Sequence, residues 1–62
     1  MRRKLREIRL KRELTQDQIA KEVGITRSHY TKIEIGIGNP SLLVAIKIKE
    51  VLNYINDDLF VM

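Results

Sequence analysis

Residues Thr15–Glu34, TQDQIAKEVGITRSHYTKIE, carry the reading that fixes the fold. Thr15 with Gln18 three residues later has the form of a capping box, so a helix opens at Gln16. Its last apolar residue, Val23, is followed by Gly24, where a helix ends in a left-handed residue that glycine adopts most readily. Thr26 then stands as the cap of a second helix. The apolar positions Ile19, Val23, Ile25, Tyr30 and Ile33 fall on inward sides, and the small Ala20 lies where the two helices approach closely. The spacing predicts two short helices, 16–23 and 27–35, joined by a tight turn. The second has a polar face with no structural task.

That arrangement fits helix-turn-helix geometry, in which the second helix is held out toward a DNA groove. Outward from it, Leu5, Ile8, Leu10 and Leu14 mark the inner side of a first helix over 2–13. Ile35-Gly36-Ile37-Gly38-Asn39-Pro40 predicts a loop, with Gly36 as a C-cap and Pro40 barring helix continuation. Ser41 caps a fourth helix, 41–52, which Asn53 ends. A last turn over 56–60 has Asn56 as its cap, and Asp57 and Asp58 suit the positive end of a helix dipole. The predicted class is all-α: a compact five-helix bundle, one domain over 1–62. A chain of 62 residues is long enough for one domain and too short for two.

Charge is distributed unevenly. The net charge is +4, and seven of the twelve basic residues are Arg2, Arg3, Lys4, Arg6, Arg9, Lys11 and Arg12. From Glu50 onward the charged residues are all acids: Glu50, Asp57 and Asp58. One end is therefore suited to a polyanion and the other is not. With no cysteine, neither a disulfide framework nor a thiolate zinc site is possible, and a reducing cytoplasm suits the chain. The start, MRRKLREIRLKR, lacks the apolar run of a signal peptide, and no membrane span is expected.

Enzyme readings have little to stand on. There is one histidine, no cysteine, no HExxH and no phosphate-loop pattern. Gly36-Ile37-Gly38 lacks the further glycine and the strand of a dinucleotide loop. Asp57 and Asp58 are better explained as dipole caps than as an acid/base pair. No catalytic residue, cofactor or metal is expected.

The ordered set Leu5…Ile8-Arg9, Leu14-Thr15-Gln16…Ile19-Ala20…Val23-Gly24-Ile25-Thr26, Tyr30…Ile33-Glu34…Gly36…Asn39-Pro40-Ser41-Leu42 and Ile55…Asp58-Leu59-Phe60 resembles the phage-repressor-like (Cro/Xre-type) helix-turn-helix family. The resemblance runs from Leu5 to Phe60. It implies a lambda-repressor-like DNA-binding domain that binds an operator in double-stranded DNA, as a small transcriptional regulator, a repressor, and usually as a dimer. Two other roles share the resemblance or the fold: an antitoxin or restriction-modification controller, and a helical interaction module that has lost DNA. The last would show acidic or apolar replacement of Arg27, Gln16 and Lys32, which are all present.

On the second helix of the pair, Tyr30 and Ile33 turn inward, leaving Arg27, Ser28, Thr31 and Lys32 largely on the other side. Arginine reads a guanine edge bidentately, lysine meets guanine or phosphate, and serine or threonine pairs with either. The resemblance implies base contact for Arg27, Ser28 and Lys32, with Thr31 at the edge. His29, beside Tyr30, reads more readily as a packing or surface residue. The family commonly places a glutamine like Gln16 on a phosphate, where free helix amides help, and Thr26 and Asn39 are expected to join it. The amides of Gly36 and Gly38 either assist Asn39 in holding a phosphate or serve only the turn. Ile35 and Ile37 stand where the family often has asparagine and a basic residue, which weakens the phosphate reading of this loop. The family often pairs an arginine like Arg9 with a glutamate like Glu34 as a structural ion pair. Arg2 and Arg3 are expected to add salt-dependent attraction to DNA.

The fourth helix is apolar beyond need. Leu42, Ala45, Ile46 and Leu52 are expected in the core, with Ile48 at the margin, Leu43 on the far side and Lys49 snorkelling near the core face. Val44, Val51, Ile55, Leu59 and Val61, with Met62 beside them, exceed what a chain of this size hides, which points to a self-complementary homodimer contact. Phe60 is expected to close the chain's own core. A two-fold dimer calls for a palindromic operator.

Overall fold

Side-chain caps start three of the four helices. Thr15 Oγ1 accepts from the Gln18 amide at 3.0 Å while Gln18 Oε1 accepts from the Thr15 amide at 2.8 Å, closing the capping box. Thr26 accepts from the His29 amide at 3.1 Å and Ser41 from the Val44 amide at 3.2 Å. The computed structural model describes residues 1–61, in the order α1 (Arg3–Lys11), α2 (Gln16–Val23), α3 (Arg27–Ile35), α4 (Leu42–Leu52) and a 3₁₀ turn at Asp58–Phe60. Met62, which the sequence reading counted with the apolar end, lies outside the described residues. Among those described there is no strand. The class is all-α, with four helices and a 3₁₀ turn where five helices were expected.

Two ends differ from expectation. The first helix stops at Lys11 rather than at 13 because Glu13 turns left-handed (φ 59) and Leu14 bonds back to the Arg9 carbonyl at 3.2 Å. The last element is three residues long and does not use Asn56 as its cap; Asp57 precedes it, without a side-chain cap bond. Both aspartates are engaged by side chains of the α4 end instead. Lys49 Nζ reaches Asp57 Oδ1 at 2.8 Å, and Tyr54 Oη donates to Asp58 Oδ1 at 2.6 Å. The Lys49 ammonium beside it holds the Asp57 carboxyl below its ordinary range.

Gly24 (φ 90) and Gly36 (φ 98) close α2 and α3 in the left-handed region, where a Cβ would be strained. Asn53 (φ 51) does the same for α4, one of the few other residues that tolerate it.

The core is Leu5, Ile19, Ala20, Val23, Tyr30, Ile33, Ile48, Leu52 and Leu59, with Ile8, Leu14, Ile25, Val44, Val51, Tyr54 and Phe60 packed around it. Here α4 corrects the sequence reading. Ile48, expected at the margin, is fully buried, whereas Leu42 is 78% and Ile46 46% exposed. The helix carries apolar side chains almost all round, so its own pattern leaves its rotation open; docking against α2 sets the inward face as Val44, Ile48, Val51 and Leu52. Leu10, expected inside α1, is half exposed. Leu59 was expected in a dimer contact and is instead fully buried in the chain's own core, because the 3₁₀ turn lays it against α1.

Candidate nucleic-acid interface

The Thr26 cap and the inward pull of Tyr30 and Ile33 set the rotation of α3. Arg27, Ser28, Thr31 and Lys32 then line one shallow groove on its outer side. A neighbouring groove runs along Thr15, Gln16 and Asp17 at the start of α2 and includes Arg27, so Arg27 joins the two. His29 is exposed on the same helix.

Gln16 is tied to α3. Thr31 Oγ1 donates to Gln16 Oε1 at 2.8 Å, and Gln16 Nε2 lies 3.5 Å from Glu34 Oε1. The carboxamide is therefore fixed with its oxygen toward Thr31, and its NH₂ is the end left to donate. Thr31, half-buried, spends its proton on Gln16 and can meet a base only as an acceptor. Thr26 Oγ1 accepts from an amide, so its own proton stays free.

Beneath this surface lies a buried charge pair. Arg9 Nε and Nη2 donate to the two Glu34 oxygens at 2.9 and 3.0 Å, and Arg9 Nη1 donates to the Leu14 carbonyl at 2.8 Å. The side chains are 8% and 2% exposed. The bidentate pair fastens α1 to the last turn of α3. Burial by itself would raise the Glu34 carboxyl, but hydrogen bonding from Arg9, with Gln16 and the nearby Tyr30 hydroxyl adding to it, outweighs it and holds the group below its ordinary value. The hydrogen bond to Glu34 likewise raises Arg9. Burial, with Glu34 nearby, pushes the Tyr30 phenol far up. Tyr30 Oη sits near the pair without a well-formed hydrogen bond, alone in that among the buried side-chain polar atoms of the described residues.

The loop after α3 is arranged differently from the sequence reading. The amides of Gly36, Ile37 and Gly38 all bond to the Lys32 carbonyl, at 3.0, 3.1 and 3.3 Å, so they close the helix and are not free for an anion. Asn39 lies outside the α3 groove, and its Oδ1 accepts from Arg2 Nη2 at 2.7 Å. Arg2, expected as a source of loose attraction to DNA, is buried. Of the basic start, Arg3, Lys4, Arg6, Lys11 and Arg12 remain exposed. Nothing in the sequence separates Arg2 from those neighbours; its acceptors come from distant parts of the chain.

The sequence profile of the helix-turn-helix family matches residues 5–60. A protein of Archaeoglobus fulgidus named as an HTH-type transcriptional regulator is 44% identical over 61 residues, covering 98% of this chain and 87% of that protein. The Bacillus subtilis protein YqaF, named likewise, is 43% identical over 54 residues, covering 87% of this chain and 71% of its own. A third, from Methanocaldococcus jannaschii, is 36% identical over 61 residues, covering 98% and 92%. No solved structure matches the chain significantly. The chain belongs to the Cro/Xre-type helix-turn-helix family, a family of DNA-binding transcription regulators and not of enzymes. No helix among the described residues is long and apolar enough to cross a membrane.

Proposed function

We propose that this chain, as one domain over 1–62 in the cytoplasm, binds specific sites in duplex DNA and represses transcription, with α3 in the major groove. The observation that carries the reading is the groove of Arg27, Ser28, Thr31 and Lys32 on a helix whose other side is fully committed to the core. Arg27 and Lys32 read guanine edges, and Ser28 with Thr31 completes the base contacts. The Gln16 NH₂ and the Thr26 hydroxyl hold phosphates that set the register of α3 in the groove.

Selection of bound sites from random duplex DNA tests this directly. Arg27→Ala is expected to weaken binding to the selected site by about 1–3 kcal/mol and to relax preference at one base pair. Equal affinity and an unchanged site profile would remove Arg27 from the reading face. The logarithm of affinity should fall linearly with that of salt, with a slope of about −0.9 per phosphate neutralised. Neutralising the exposed Arg3 should make that slope shallower. A flat response in the parent would mean an interaction module rather than a DNA-binding protein.

The same reading includes a homodimer on a palindromic operator. Its support is the apolar surface left uncovered on α4 and the segment after it: Ile55 is 88% and Val61 64% exposed, with Ile46 and Leu43 uncovered on α4. Val44 and Val51, half-buried against the core, contribute only their edges. A two-fold pair that sets the recognition helices about 34 Å apart would meet successive major grooves. Sedimentation of the parent should show a dimer on palindromic duplex, and Ile55→Asp should shift it to monomer. A parent that stays monomeric both free and on such a duplex rules the dimer out.

A further inference from the structure

Of the seven basic residues in the first twelve, Arg2 and Arg9 alone are buried. Arg9 answers to Glu34. Arg2, 3% exposed, fans out over neutral oxygens from three parts of the chain. Its Nε donates to the Phe60 carbonyl at 3.1 Å and its Nη2 to Asn39 Oδ1 at 2.7 Å, while Nη1 donates to the carbonyls of Ile33 and Gly38, the latter at 2.8 Å. Its backbone amide bonds to the Glu34 carbonyl at 2.8 Å.

Two consequences follow from the chemistry of the guanidinium. It donates and never accepts, so the bond to Asn39 fixes which end of that carboxamide faces inward. Oδ1 points to Arg2, and the NH₂ points away at an exposed position beside the end of α3. Because Gly36, Ile37 and Gly38 spend their amides on Lys32, the side-chain NH₂ of Asn39 is a donor those three amides do not duplicate. The second consequence is electrostatic. Arg2 places positive charge on the Ile33 carbonyl in the last turn of α3, offsetting the negative end of that helix, which would repel a phosphate.

We propose that Arg2 is a positioning residue for DNA binding. It turns the Asn39 carboxamide so that Nδ2 donates to a backbone phosphate flanking the α3 contacts. The proposal rests on the reading that α3 enters the major groove, and it gives Arg2 no contact with DNA of its own.

The test uses the full chain and a duplex selected by the parent protein, with affinity, phosphate-ethylation interference and thermal unfolding followed together. Asn39→Ala removes the donor and is expected to lose about fivefold to tenfold in affinity, with one phosphate dropping out of the interference pattern. Asn39→Asp still accepts from Arg2, so its melting temperature should equal or exceed the parent's while its affinity falls at least as far as that of Asn39→Ala. A purely structural role would move the two readouts together. Arg2→Lys, whose ammonium cannot span four acceptors, should lose the same phosphate, and adding Asn39→Ala to it should cost little more. Parent-like binding by Asn39→Ala overturns the Asn39 contact. A full Asn39→Ala penalty in the Arg2→Lys background overturns the role of Arg2. Where Arg2→Lys fails to fold, the divergence of stability from affinity in Asn39→Asp decides. A parent that binds no duplex overturns the DNA reading and this proposal with it.

Discussion

Glu34→Ala is expected to destabilise the fold by about 3–5 kcal/mol, since it strands the Arg9 guanidinium in the interior without its carboxylate. A domain of this size holds on the order of 0.05–0.15 kcal/mol per residue, so the loss is comparable to its whole stability. Urea or thermal unfolding measures it. Replacing both partners, as Arg9→Met with Glu34→Leu, should recover most of that loss, because two apolar side chains remove the desolvation penalty along with the attraction. If the double variant is as unstable as Glu34→Ala, the cost lies elsewhere than in the stranded charge. The recovered fold should still bind DNA less well than the parent, because Gln16 loses the carboxylate that faces its amide.

The same pair sets an acid limit. The folded Glu34 carboxyl is held below its ordinary value of 4.5. Its contribution is therefore fully present above that value and is lost as pH falls through the lower, folded one. Unfolding curves of the parent should lose stability on acidification below about pH 4.5, and those of the Arg9→Met, Glu34→Leu variant should lose less.

Ile48→Ala is the second large effect, expected at about 2–5 kcal/mol from lost burial and the cavity left behind. Leu42→Ser, on the same helix, is expected to stay within about 0.5 kcal/mol. The contrast tests the rotation of α4: Ile48 is fully buried and Leu42 is 78% exposed. If Leu42→Ser proves the costlier change, the helix sits with the opposite face inward.

The elements proposed to meet DNA were legible because their signals are local. Thr15 with Gln18, Thr26, Gly24 and Gly36 act on backbone groups within a few positions, so α2, α3 and the turn between them begin and end where the residues themselves require. Once Tyr30 and Ile33 are inward, helical geometry alone sends Arg27, Ser28 and Lys32 outward.

Tertiary structure decided what depends on partners far along the chain. The α4 segment LLVAIKIKEVL is apolar on too many sides to choose its own inward face, so contact with α2 chose Ile48 over Leu42 and Ile46. Leu59 turned from an apparent surface residue to a core one by the same kind of docking, against α1. Arg2 shows the limit most clearly. In sequence it is one of a run of basic residues, and its interior place depends on oxygens at Ile33, Gly38, Asn39 and Phe60, the last of them 58 positions away. Local caps and periodicity are written into neighbouring residues, whereas burial of a charge depends on acceptors that only the folded chain assembles.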